Sequence, residues 1–171
     1  MKFRDLLTVK HNSDTGVIDA IELARLLPNT PQEVREQFYV DHGRNELFQA
    51  QYAELEISSL RWTKVGLLAS EIAKCSYYER FANWYESVGQ RATQFNTQGW
   101  PCIDSRKTVV EHWKTHKTWQ LSPVFLQGDI AGSLYSLRLV EGHTRVGLLR
   151  GLASSGVIES NSIHEVWLGK K

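Results

Sequence analysis

Between Ser133 and Gly156 the spacing of apolar residues changes from two to three and four, so an extended segment must hand over directly to a helix. Tyr135, Leu137 and Leu139 alternate with Ser136 and Arg138, the pattern of a strand with one buried face. From Thr144 onward, Val146, Leu149, Leu152 and Ala153 recur at helical steps, which predicts an amphipathic helix closing at Gly156. Glu141, Gly142, His143, Thr144 and Arg145 occupy the junction.

The first turn of a helix presents backbone N–H groups without intrahelical partners at the positive end of its dipole, so the junction is predicted to hold an anion. Gly142 lets the backbone approach a ligand, Thr144 can cap the helix or bond a phosphate, and Arg145 can fork onto phosphate oxygens. His143 can donate to the same group. A purely structural reading competes: Thr144 caps, Arg145 is solvated and His143 packs in a turn, since a glycine and a polar residue before a helix are common.

The elements around the junction add a pattern. Val109, Val110, Trp113 and Lys117 mark a leading helix, Pro123-Val124-Phe125-Leu126 a short strand, Gln127-Gly128-Asp129 a turn, and Ile163 to Leu168 a closing strand. With Gly142 and Arg145 forming a Gly-x-x-Arg motif after the second strand, residues 105–168 resemble the core of the ParB/sulfiredoxin superfamily. The resemblance implies an α+β fold, a small mixed β-sheet of ParB/sulfiredoxin type packed with a large helical N-terminal lobe. It implies that Gly142, His143, Thr144 and Arg145 hold the phosphates of a nucleoside triphosphate, ATP or CTP, with Mg²⁺. Lys117 is expected to add positive charge to that pocket, and Arg61 and Trp62 to flank a base or sugar.

Departures from the pattern narrow the function. His143 stands where sulfiredoxins carry their catalytic cysteine, which argues against reduction of a sulfinylated cysteine. Chromosome-partitioning members have paired arginines in the motif and a helix-turn-helix domain after it; here Thr144 precedes a single arginine and the sequence runs only to Lys171, so a CTP-gated DNA clamp is not expected. Glu-Gly-His-Thr-Arg is closer to the acid-Gly-His-x-Arg form of kinase-like members that phosphorylate a free amino acid. Those use an early glutamate as base. Residues 53–57, Ala-Glu-Leu-Glu-Ile, read as a short strand joining the sheet, with Glu54 or Glu56 as its counterpart or simply facing solvent. No catalytic base is identified.

The expected function is therefore nucleotide-phosphate binding, by an ATP-dependent phosphotransferase or nucleotide hydrolase. Two other readings stand beside it: a non-enzymatic protein-interaction module, such as an antitoxin, immunity or regulatory subunit, and a DNA-binding or nuclease role. Charge bears on the last. The chain has a net charge of +1, with −2 over residues 1–100 and +3 over residues 101–171, which suits a small anion better than a DNA duplex.

Length and composition predict one domain over residues 1–171, a mainly helical lobe with one early strand (1–99) and the core (100–171), divided near Asn96 to Cys102. No apolar run approaches the ~18 residues of a membrane span, and polar residues interrupt the start, so a cytoplasmic protein is expected. Cys75 and Cys102 are too far apart in sequence for a metal ribbon or redox dithiol, while a disulfide is left open.

Elsewhere the periodicity predicts a helix over residues 17–27 and another from Thr30-Pro31-Gln32-Glu33, with Thr30 as cap and Glu33 completing a capping box, pausing near Gly43. Asp41, His42 and Arg44 offer a carboxylate, an imidazole and a guanidinium, although a polar turn explains them equally. Leu67, Leu68 and Ile72 indicate a further helix. Tyr77, Phe81, Trp84, Tyr85, Val88, Ala92 and Phe95 form an aromatic stripe read as core rather than as a stacking surface. Ser105 is expected to cap the helix that follows, on which His112 and His116 share a face without a third ligand that would make a zinc site.

Overall fold

A computed structural model of the protein describes residues 1–130, 132 and 136–171; Tyr135, assigned above to the strand before the motif, lies outside them. After a 3₁₀ turn at Phe3–Thr8 come α1 (Ala20–Leu26), α2 (Gln32–Val34), which widens into a π-helix over Arg35–Val40, and α3 (Glu46–Tyr52). The first strand, β1 (Arg61–Leu68), leads through α4 (Ala69–Ile72) to α5 (Ala82–Thr93), α6 (Phe95–Gln98) and α7 (Lys107–His116). Then follow β2 (Val124–Gln127), β3 (Leu137–Glu141), α8 (His143–Ser154) and β4 (Ile163–Lys170). None of the described helices is long and apolar enough to cross a membrane.

The four strands among the described residues form one mixed sheet in the order β1-β4-β2-β3. β1 and β4 are antiparallel, as are β2 and β3, while β2 runs parallel to β4. The fold is α+β, as expected. Each face of the sheet covers a separate core. Phe125, Leu137, Leu139, Val166 and Leu168 pack with Tyr85, Val88, Trp113, Val146, Leu149 and Leu152 on one side. Val124, Leu126 and Val140 pack with Phe3, Leu6, Phe38, Tyr39, Tyr52 and Ile57 on the other. A strand covered on both faces needs no polar alternation, which is why β2 reads Val-Phe-Leu without a break.

The early strand was misplaced by the sequence pattern. Residues 53–57 are not a strand: Ala53 closes α3, Glu56 makes only an isolated bridge to Lys2, and Ile57 opens a 3₁₀ turn. The sheet strand is instead Arg61–Leu68, reaching into the stretch expected to be helical, with α4 confined to Ala69–Ile72. Leu67 and Leu68 satisfy either period. Antiparallel pairing with β4 along all of β1, from Arg61↔Lys170 to Leu68↔Ile163, decides for strand. The capping box at residues 30–33 also does not form: Pro31 is the N-cap, and Glu33 accepts from Trp167 Nε1 at 2.7 Å instead. Arg106 rather than Ser105 precedes the first turn of α7, with its N–H donating to Asp104 at 2.8 Å.

The helix after the motif has the expected bounds but not the expected single apolar face. His143, Val146, Gly147, Leu148, Leu149, Gly151 and Leu152 are all buried, because α8 is enclosed between the sheet and α5. The crossing with α5 is close enough that a Cβ on Gly151 would stand 2.3 Å from the Gly89 carbonyl oxygen and 2.6 Å from Ala92 Cβ. This contact brings the start of α5 beside the start of α8. It also corrects the aromatic stripe. Tyr85, Val88 and Ala92 are buried, but Trp84 is 58% exposed and Phe81 only half-buried.

Candidate functional site

β3 ends at Glu141 and the chain turns at Gly142, whose φ of +100° is a left-handed conformation that side chains disfavour. Space also demands glycine, since a Cβ there would lie 2.6 Å from Pro123 Cβ and 3.1 Å from Arg145 Nη2. The helix starts at His143, and its first intrahelical bond runs from Val146 N–H to the Gly142 carbonyl at 2.9 Å. Among the described residues no side chain caps it. The amides of His143, Thr144 and Arg145 thus have no intrahelical acceptor.

Each motif side chain has a defined partner or enclosure. The Thr144 hydroxyl accepts from Trp84 Nε1 at 3.1 Å rather than capping its own helix. Arg145 is 19% exposed, donates from Nη1 to the Leu121 carbonyl at 2.7 Å, and reaches Glu141 Oε1 from Nη2 at 3.4 Å. Burial pulls its guanidinium below the usual value, and the Glu141 charge opposes that pull. His143 is 8% exposed, packs on Phe81 with ring centroids 4.7 Å apart, and has no hydrogen-bond partner for Nε2 among the described residues. Burial holds its imidazole down to about 4, against the pull of Glu141, so it is neutral near pH 7.

Two side chains that sequence reasoning gave no role in the pocket complete this corner. The His42 Nε2 lies 3.2 Å from Glu141 Oε2, and the ring stacks on Phe48 at 4.3 Å with an interplanar angle of 4°. Burial opposes ionisation of Glu141, but the neighbouring His42 and the charge of Arg145 outweigh it and hold the carboxyl below its usual range. The local sequence held half of this signal: Asp41, His42 and Arg44 stood out as a cluster. The structure splits them, since Arg44 donates to the Leu7 carbonyl on another surface and only His42 enters the pocket.

These groups line a cleft of about 650 Å³. Phe48, Phe81 and Trp84 form an aromatic wall beside His42, and Asp104, Arg106 and His112 stand on the α7 side. Asp104 accepts from Arg106 at 3.0 and 2.8 Å, so both cleft arginines are matched by a carboxylate. His112 and His116 approach each other at 4.5 Å, and among the described residues no group of three or more His, Cys, Asp or Glu is gathered for a metal.

The other candidate residues named from the sequence lie elsewhere. Lys117 ends α7 in a left-handed conformation and places Nζ over the Trp100 ring at 4.1 Å, away from the motif. Arg61 donates to the Lys171 carbonyl at 3.0 Å on the edge strand; two strands, β4 and β2, separate it from β3. Trp62 packs in the second core beside Gly169. Glu54 pairs with Lys2 and Arg4, and Glu56 with the N-terminal amine, so neither faces the cleft. No family model, curated protein or solved structure matches this chain.

Proposed function

We propose that the cleft binds a nucleotide by its phosphates at the Gly142–Arg145 turn, and that the protein is a phosphotransferase or nucleotide hydrolase of ParB/sulfiredoxin-like type. The observation that carries this reading is the uncapped start of α8 opening on a cleft of about 650 Å³. The first-turn amides and helix dipole favour anionic oxygens, and Phe48, Phe81 and Trp84 supply apolar area for a base or sugar. Because Arg145 and Arg106 are each matched by a carboxylate, the amides carry more of the anion binding than the arginines do. The described residues of the cleft offer no cage for Mg²⁺, since Glu141 and Asp104 are engaged by arginines; a divalent ion would arrive on the phosphates themselves.

Calorimetry against ATP, CTP and GTP with Mg²⁺ tests the proposal. At least one is expected to bind, and Arg145→Ala is expected to weaken it roughly 10- to 150-fold, the worth of one charge-assisted contact of about 1.5–3 kcal/mol. Absence of binding at millimolar concentration of all three would reject it.

One observation favours a second reading. The Arg145 guanidinium already has the Leu121 carbonyl and Glu141 as partners, and Trp84 is exposed beside it, an arrangement that also suits a protein-interaction module receiving a peptide segment in the cleft. Failure of all three nucleotides would put that reading ahead.

A further inference from the structure

The cleft contains one imidazole that is oriented by a carboxylate, held flat by an aromatic ring and still open to solvent. His42 meets Glu141 Oε2 through Nε2 at 3.2 Å, stacks on Phe48, and is 28% exposed on its side chain. The other carboxylate oxygen of Glu141, Oε1, is taken by Arg145 at 3.4 Å. Glu141 therefore bridges the imidazole to the arginine of the motif, so that two elements distant in sequence are set against the same helix start. Nε2 faces the carboxylate, and in the tautomer that carries its proton on that nitrogen the lone pair of the ring lies on Nδ1, to which no described residue bonds.

We infer that His42 is the general base of this site, oriented by Glu141, and takes a proton from water attacking the terminal phosphorus of a nucleoside triphosphate held at the start of α8. The inference rests on the nucleotide reading of the cleft. In the step, a water O–H bond breaks as its oxygen bonds to phosphorus, and its proton passes to His42 Nδ1. The phosphorus bond to the bridging oxygen breaks, and the nucleoside diphosphate leaves with that electron pair. His42 then returns its proton to bulk solvent as inorganic phosphate departs. The neighbouring groups fit the role less well. His143 Nε2 is enclosed, His112 is paired with His116 rather than with a carboxylate, and Glu54 and Glu56 face away. A carboxylate-oriented imidazole beside an anion-stabilising helix start provides the base, its orienting group and the charge stabilisation that such a displacement requires.

The test measures nucleotide binding by calorimetry and phosphate release from ATP, CTP and GTP with Mg²⁺ for the wild type, His42→Ala and Glu141→Gln. The wild type is expected to release phosphate from at least one. His42→Ala should keep its affinity within a few-fold and lose about 10²- to 10⁴-fold in rate, part of which returns on adding imidazole. Glu141→Gln should lose rate without rescue by imidazole, since its base is still present. A wild type that binds nucleotide without releasing phosphate overturns the inference and leaves the binding proposal standing. So does a His42→Ala protein that turns over at the wild-type rate, or one whose loss imidazole does not restore and whose melting temperature falls, which would make His42 a structural ion-pair partner. A wild type that binds none of the nucleotides removes the binding reading and this inference with it.

Discussion

Arg145 Nη2 fills the space that a side chain on Gly142 would need: a Cβ there would lie 3.1 Å from Nη2 and 2.6 Å from Pro123 Cβ. The two fixed residues of the motif are thus one packing unit, in which the glycine leaves room for the guanidinium to fold back over the strand end. Gly142→Ala combines a left-handed backbone, which costs an L residue about 1–2 kcal/mol, with overpacking worth about 1–3 kcal/mol. We expect a loss of about 2–5 kcal/mol in chemical denaturation. A loss below about 1 kcal/mol would mean that the turn relaxes easily and that its geometry is not held by the packing described.

Gly151→Ala opposes two effects of known size. Alanine gains about 1 kcal/mol of helix propensity over glycine, but its Cβ would meet the Gly89 carbonyl oxygen at 2.3 Å, and backbone cannot swing aside as a side chain does. Overpacking of about 1–3 kcal/mol should win, giving net destabilisation. Separation of α5 from α8 should also weaken the Trp84–Thr144 hydrogen bond, visible as a changed tryptophan emission.

Adjacent residues on α5 should respond differently to truncation. Tyr85 is buried, and Tyr85→Ala should cost about 3–5 kcal/mol, whereas the exposed Trp84→Ala should cost less than about 1.5 kcal/mol. Thermal or urea unfolding of the two variants checks this. Equal losses would return Trp84 to the core role that periodicity assigned it.

Acid should destabilise the fold before ordinary carboxylates titrate. The His143 imidazole is held at about 4 against an ordinary 6.5, so between those values the unfolded chain binds a proton that the folded chain refuses. Stability is then full above about pH 6.5 and falls as pH drops toward 4, by up to about 3 kcal/mol. His164, also lowered by burial, acts in the same sense. Urea midpoints from pH 7.5 to 4.5 should show the fall in the wild type and a shallower one in His143→Phe; identical slopes would place the titrating group elsewhere.

Local periodicity was sufficient wherever one helix or strand face decided the structure. The change from alternating Leu137 and Leu139 to helical Val146, Leu149 and Leu152, with glycine at the hinge, placed the strand end, the turn and the helix start in their observed positions. The α+β class and the mixed sheet, which the structure has, were expected from the order of elements in a resembled family and not from spacing alone. Backbone sterics and side-chain period are properties of a few consecutive residues, and these are what a sequence states directly.

Tertiary structure decided what depends on partners distant in the chain. Residues 61–68 are a strand because β4 pairs with them, and the alternative placement at 53–57 satisfied the same local rules without such a partner. Lys117 and Arg61 carry the right charge for the motif pocket, but helix end and strand order direct them to Trp100 and to the Lys171 carbonyl. His42 reaches Glu141 because the N-terminal helices cover the face of the sheet opposite α5 and α8, a matter of packing between elements that no local pattern encodes. Consecutive residues alone located the strand-to-helix turn at Gly142; which side chains surround it was settled by burial of the two cores, whose apolar contacts outweigh any local preference of the residues they carry along.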